Sequence, residues 1–324
     1  MAIEVIKPGL ATSVQDAGRA GYYHLGIPPS GALDQYSFRA ANLLVGNDEG
    51  AAVLELTMLG PELAFRRDAV IAVAGAVMTP RLDGVAQTCN TALAVKAGQV
   101  LSFEFLKGGA RAYLAVAGGI DVPVVLGSRS TYGLGAFGGY QGRKLAPGDV
   151  LPVGEARAVP AGRSLDPALQ PVLEKSVELR VVPGLYDHRV TPASMEAFYA
   201  DSWSVAPEAD RIGYRYRGGR PLEFVARTQP FGAGSDPSNI VDACYPIGSI
   251  QVPAGLEPIV LHRDAVSGGG YMMVGTVISA DLDRIGQMQP NHKARFVPVD
   301  MKAALVARAE RAARLDRLRA SLAL

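Results

Sequence analysis

The residues of this chain that could do chemistry gather in short stretches, and the densest of them follows an apolar run. Ile259-Val260-Leu261 empties into His262-Arg263-Asp264, and Gly268-Gly269-Gly270 and Tyr271 follow at once. A carboxylate, a guanidinium and an imidazole side by side are groups suited to proton transfer and anion recognition. Three glycines in a row cost much chain entropy, so positive φ or a close backbone approach is expected there. A hairpin tip needs only about two turn residues. The stretch is therefore read as strand, glycine loop, strand, with the site on the loop.

Other clusters carry related groups. Gln15, Asp16 and Arg19 lie together beside Gly18, where a guanidinium could give planar two-point recognition of a carboxylate or phosphate. A surface turn with an Asp-Arg pair is the plainer reading of the same residues. Asp34 and Asn42 fall eight residues apart on a helical pattern, near enough in phase to share one side, although helix capping alone would explain Asp34. Glu55 is a lone acid in Ala52-Val53-Leu54-Glu55-Leu56; facing inward it must be paired, with Arg19 or Arg129 as candidates. Gly127-Ser128-Arg129-Ser130-Thr131, followed by Gly138-Gly139-Tyr140-Gln141-Gly142-Arg143, mixes hydroxyls, arginines and glycines in a way that suits an anion. It is no P-loop, because Gly-Lys-Ser/Thr does not close it. Asp210-Arg211 forms a turn entering Tyr214-Arg215-Tyr216.

Several chemistries are excluded. The sequence has no Gly-x-Ser-x-Gly elbow, no His-Glu-x-x-His and no dinucleotide fingerprint in strand-to-helix context. Its histidines, His24, His188, His262 and His292, are isolated, so no metal site is expected. Met301-Lys302 does not read as a biotinylated lysine, because Ala303 and a charged helix follow.

The elements that must position these groups are mostly short strands. Glycine (37) and proline (22) punctuate apolar runs throughout 324 residues, a length that suggests two domains of mainly β structure. Helical periodicity marks Leu33 to Leu44, Pro192 to Tyr199 and the tail from Met301 to Leu324. The tail's apolar stripe needs a surface, either its own domain or a partner subunit. A proline-bearing stretch at 156–176 is taken as a linker, giving domains at 1–155 and 177–300 and a helix at 301–324. The 32 basic and 31 acidic residues are well mixed, which argues against nucleic acid as the partner. The two cysteines, Cys89 and Cys244, support neither a disulfide framework nor a zinc cluster. No apolar run is long enough for a membrane span and the N-terminal stretch lacks a leader-like core, so a cytoplasmic protein is expected.

In order and wording, the motifs resemble the family that holds the C-type subunit of 5-oxoprolinase, the kinase-inhibitor antagonist and the carboxyltransferase region of urea carboxylase. The carrying segments are Thr12 to Arg19, Ser30 to Asp34, Ala41 to Asn47, Leu54-Glu55, Ser128 to Thr131, Asp210 to Tyr214, Ile250 to Pro253, and Asp264 with Gly269-Gly270-Tyr271. The resemblance covers nearly the whole chain. It implies two tandem cyclophilin-like β-barrel domains plus the C-terminal helix, working with a sister subunit of related type. The combined module would be a carboxyltransferase fed with carboxybiotin by a biotin carboxylase, or an ATP-dependent amidohydrolase in which ATP and Mg are handled with a lactamase-like subunit. No cofactor would be attached to this chain, and the substrate would be a small amide, lactam or urea.

The resemblance also implies a site drawn from both halves: Gln15, Asp16, Arg19, Asp34, Asn42, Glu55 and Arg129 from one, and Arg211, Gln251, Asp264, Gly269, Gly270 and Tyr271 from the other. Arg19 and Arg211 would hold a carboxylate, phosphate or carboxyl group. Asp264 would position or deprotonate the attacking nitrogen, and Tyr271 would orient the transferred group. The chain departs from the family pattern at Ala265-Val266-Ser267-Gly268, where Gln-Thr-Thr usually stands, and in extra residues from Gly232 to Tyr245. A different class of function is also consistent with the resemblance, a regulatory protein that sequesters a sister subunit or a kinase inhibitor without chemistry.

Overall fold

The computed structural model describes residues 3–323; the first two residues and the last, part of the N-terminal stretch and tail read above, lie outside it. Contacts divide the chain into two compact units. The first takes the residues up to 20, 30–173 and 313 onward; the second takes 21–29 and 174–312. These bounds differ from the segments drawn on sequence composition. The stretch 156–173 counts with the first unit, and the tail is divided between the two.

The first unit holds two antiparallel sheets. One runs in the order Val150–Leu151, Ile3–Lys7, Glu62–Phe65, Val100–Phe103, Pro80–Leu82, Val85–Ala86. The other runs Ser13–Gln15, Val53–Thr57, Gly108–Val116, Ala69–Val77, Ala92–Val95. Strand periodicity explains how the second sheet is buried on both faces. Leu54, Leu56, Ile71, Val73, Ala112 and Leu114 point into a core shared with Ile3, Leu63, Phe65 and Leu101 of the first sheet. The alternate residues Val53, Ala72, Ala74, Tyr113 and Ala115 face a second core. Small alanines on that face let the helix α1, Gln35–Leu44, pack closely through Tyr36, Phe38 and Leu44. Asp34 starts α1 by accepting from the backbone N–H groups of Tyr36 and Ser37, the capping expected from sequence.

The tail closes the same core. Leu315, Leu318 and Leu322 are buried in it, and the Arg314 guanidinium lies 4.2 Å from the Tyr36 ring centroid. The stripe read from sequence is thus covered by the chain's own first unit at its C-terminal end, whereas Leu305 and Val306 are exposed.

The second unit is a closed seven-stranded barrel, ordered Ser176–Pro183, Met273–Val277, Ser249–Gln251, Ile259–Leu261, Gly213–Arg217, Trp203–Val205, Lys293–Pro298. A parallel pairing of the last strand with the first completes it. Helix α2, Pro192–Ala200, is capped by Thr191 and delivers Phe198 to an aromatic core, stacked on Phe296 at 4.9 Å. The mainly β class with a few helices holds; closure into a barrel is seen in the second unit, while the first is organised as two sheets.

The glycine triplet is not a loop. Gly268–Tyr271 is a strand paired with Asn239–Cys244 in a two-stranded ribbon, and none of the three glycines has positive φ. Close approach is the reason for at least one of them. A Cβ on Gly269 would lie 3.1 Å from the Tyr245 ring. The two departures from the family pattern therefore meet each other, since the extra segment supplies the ribbon's other strand.

Leu318→Ala should remove a fully buried side chain from the core beneath the tail and cost about 2–5 kcal/mol in a denaturant titration. The same change at exposed Leu305 should cost less than about 0.5 kcal/mol.

Candidate functional site

The first unit draws its candidate residues into one interlocked network. Gln15, on a strand buried at every position, accepts from Gly31 N and donates to Ser13 Oγ and the Thr131 carbonyl. Asp16 is the hub. Its Oδ1 accepts from Gly18 N, Ser128 Oγ and Ser130 Oγ, and its Oδ2 accepts from Arg129 N at 2.5 Å. The hydroxyls and amide of the Gly127-to-Thr131 segment, suited by composition to an anion, are engaged here by the protein's own carboxylate. Arg19 is fully buried, donates to the Ser130 carbonyl at 2.5 Å and lies 4.9 Å from the Phe137 centroid. Gly138 makes room for it. At φ +69° a Cβ there would stand 2.1 Å from the Ser130 oxygen and 2.8 Å from Arg19 Nη2.

Asp34 and Asn42 serve α1 and the turn after it. Asp34 accepts from Ser37 Oγ at 2.5 Å as well as from the capped amides, and Asn42 donates to the Ala51 carbonyl at 2.8 Å. Glu55 points inward, but its ion-pair partner is Arg111, at 3.6 Å, rather than Arg19 or Arg129. Register decides this. Tyr113 sits opposite Glu55 on the neighbouring strand, so Tyr113 and Arg111, two residues apart, share its face. Glu55 Oε2 also accepts from Tyr113 Oη and Leu33 N, both at 2.9 Å. Burial, and then the Glu55 charge, push the Tyr113 hydroxyl far above its usual pKa, so it remains a donor.

Of this set, Asp16 and Arg129 border a cleft of about 300 Å3 whose lining also includes Gly118, Gly119, Ile120, Asp121 and Ser128. The Arg129 side chain is partly exposed and pairs with Asp121 at 2.6 Å.

In the second unit the strand register sorts the candidates into two groups. Arg211 donates from Nε and Nη2 to the two oxygens of Asp264, at 2.8 and 3.1 Å. The pair is tied at the backbone too, Asp264 N donating to the Arg211 carbonyl at 3.0 Å. Asp210 shapes the turn that carries Arg211 by accepting from Ile212 N and Gly213 N. With side chains 18% and 9% exposed, the pair is dry enough for its charges to be only weakly screened. His262 beside it is buried, accepting from Arg263 N at Nδ1 and lying 3.3 Å from the Leu282 carbonyl through Nε2, the pattern of a neutral imidazole.

Gln251 and Tyr271 lie elsewhere. Gly213 pairs with Leu261, placing Arg211 and Asp264 past one end of strand Ile259–Leu261, whereas Gln251 pairs with Ile259 and Met273 at the other end. Tyr245 links this second group. Its hydroxyl donates to the Tyr271 carbonyl at 2.5 Å and accepts from Tyr271 N at 2.9 Å, with the Gln251 side chain nearby. Its own carbonyl accepts from Tyr23 Oη at 2.7 Å. Nothing in the sequence singled out Tyr245, because its partners are 26 and 222 residues away. Arg111 and Tyr113 were missed similarly, although their odd spacing in an otherwise apolar strand marks one face. Among the described residues no group of three or more His, Cys, Asp or Glu could hold a metal ion, and no helix is long and apolar enough to cross a membrane.

Comparison with known proteins gives a consistent result. Residues 25–298 match the model of the carboxyltransferase domain, subdomains A and B. The chain is 37% identical over 306 residues to the C-type 5-oxoprolinase subunit of Escherichia coli, covering 94% of both chains. It is 38% identical over 318 residues to the urea amidolyase of Lachancea kluyveri, spanning 94% of this chain but only 17% of that much longer one. The crystal structure of the K. lactis urea amidolyase superposes with a TM-score of 0.91 at 37% identity, over 98% of this chain and 20% of that one.

Glu55→Gln should leave the buried Arg111 without a compensating charge and lower stability by about 3–5 kcal/mol. Tyr245→Phe should cost about 1–3 kcal/mol and speed amide exchange at Tyr271, whose N–H loses its acceptor.

Proposed function

Because the chain belongs to the family of carboxyltransferase domains with subdomains A and B, we propose that it is one subunit of a multi-subunit carboxyltransferase or ATP-dependent amidohydrolase. With a sister subunit it acts on a small amide, lactam or urea. The observation that carries this reading is the Arg211–Asp264 fork at the end of a barrel strand. A guanidinium whose plane is fixed in advance meets the two oxygens of a carboxyl group without reorganising during the reaction.

Arg211 is assigned to the carboxyl or carboxylate group of the reacting molecules, where negative charge builds as the bond to nitrogen changes. Asp264 orients Arg211. Each of its oxygens accepts one hydrogen bond from that guanidinium, and a carboxylate offers about four acceptor positions. The remaining positions are assigned to the N–H of the attacking nitrogen, which Asp264 aligns and from which it takes the proton. Carboxylated biotin carried by a partner would place its planar carboxyl group against Arg211, and would supply that group for transfer when bound. In the lactam-opening version, ATP is handled by another subunit.

The other candidates take different parts in the same proposal. Tyr271, Gly269 and Gly270 present the ribbon to the substrate from the Gln251 end of the barrel. Arg129 serves binding at the cleft of the first unit. Gln15, Asp16, Arg19, Asp34, Asn42 and Glu55 hold that unit's loops and helix in place, a reading supported by the hydrogen bonds each makes within it.

In a complex reconstituted from co-purified partners, Asp264→Asn and Arg211→Lys should each lower coupled turnover by about 10²–10³-fold while the complex still assembles, the loss of turnover far exceeding what the accompanying fall in melting temperature explains. Turnover near that of the unsubstituted complex would remove the assignment. A biotinylated protein among the co-purified partners selects carboxyl transfer; an unbiotinylated lactamase-like partner selects lactam opening.

A further inference from the structure

A second cluster of cations stands apart from the Arg211–Asp264 pair, at the Gln251 end of the same barrel. Val190 and Phe224 form an antiparallel bridge, and Val225 N donates to the Arg189 carbonyl at 2.8 Å. This pairing brings Arg189 beside the segment that carries Arg227 two residues on. The Arg189 guanidinium lies 4.8 Å from the Tyr186 ring centroid, and its Nη1 is buried with no hydrogen-bond partner. Arg227 donates from Nη2 to the Asn239 carbonyl at 2.6 Å, which ties it to the ribbon beside Tyr271.

Among the described residues neither arginine makes an ion pair, whereas several other arginines of the second unit have one. Asp264 is held by Arg211, Asp281 by Arg180 and Asp283 by Arg311. The nearby acids are hydrogen-bonded within their own turns, Asp187 accepting from His188 N and Asp236 from Ser238 N and Oγ, and neither pairs with the two arginines. Burial, and then the neighbouring Arg189 charge, hold the Arg227 guanidinium below its usual pKa. Two guanidinium groups in mutual repulsion, one with a buried N–H donor left over, is a costly arrangement unless an anion neutralises it. Around them stand Tyr186 and, through Asn239 and Tyr271, the Tyr245 hydroxyl.

We propose that Arg189 and Arg227 form an oxyanion site for the carboxylate or phosphate group of a small ligand, with Tyr186 as its apolar wall. Fork geometry favours a planar carboxylate, and a carboxylate here gives the chain a preference for acid-bearing ligands over neutral ones. The site rests on side chains of the second unit alone and is independent of the reaction assigned above.

The test uses the full chain by itself, with no turnover involved. Melting temperature and calorimetric binding are measured with inorganic phosphate, with 5-oxoproline and with its neutral carboxamide, at matched chloride. The expected result is stabilisation by 5-oxoproline or by phosphate, none by the carboxamide, and a loss of affinity of about tenfold or more in Arg189→Gln. In the absence of anion, Arg189→Gln should melt no lower than the parent chain, because a repulsion has been removed; a merely structural arginine would melt lower. Arg189→Lys, which keeps the charge and loses the fork, separates the sources: a carboxylate should suffer more than phosphate. Binding unaffected by either substitution, or equal binding of the carboxamide, would overturn the proposal.

Discussion

A carboxylate that takes two donors from one guanidinium does more than cancel charge; it fixes the plane of a cation that would otherwise swing through many rotamers. Asp264 does this to Arg211, and the backbone reinforces the geometry from both sides, through Asp264 N on the Arg211 carbonyl and His262 N on that of Ile212. The barrel makes those two loops neighbours. Leu261 and Gly213 are register partners, so the residues just beyond them have to emerge together.

The first unit illustrates the opposite use of the same chemistry. Its acids and amides are spent internally: Asp16 on two serines and two amides, Asp34 on a helix start, Glu55 on Tyr113, Leu33 and Arg111. Buried polar groups this well satisfied specify one loop arrangement, because any slip would leave a desolvated charge unpaired. What remains directed at the cleft is Arg129, whose side chain is only partly covered.

Local features were legible in the sequence. The start of α1 could be read because Asp34 precedes an apolar period of 3.6, and the tail because leucines recur at helical spacing. The Asp210-Arg211 turn was legible for the same local reason, whereas the sequence leaves the orientation of Glu55 open. Features set by long-range pairing were not. Gly268-Gly269-Gly270 has a loop composition, yet it pairs as a strand with a segment about 26 residues earlier, under a tyrosine ring that occupies the space a side chain would need. Arg111 could not be matched to Glu55 without the register of two strands more than fifty residues apart. Likewise, the separation of Gln251 from Asp264 follows from which end of Ile259–Leu261 each one meets. Motifs shared with a family name the residues; only the register says which of them can touch the same molecule.

Chemical rescue asks directly whether a fixed cation at Arg211 is what the barrel provides. Arg211→Ala removes the guanidinium and leaves Asp264 able to bind a free one. In the reconstituted complex this variant should be nearly inactive, and guanidinium ion, below denaturing concentrations, should restore turnover with saturation while sodium at equal ionic strength does not. Full activity of Arg211→Ala without any added cation, or loss of activity that guanidinium leaves untouched while the variant stays folded and assembled, would contradict it.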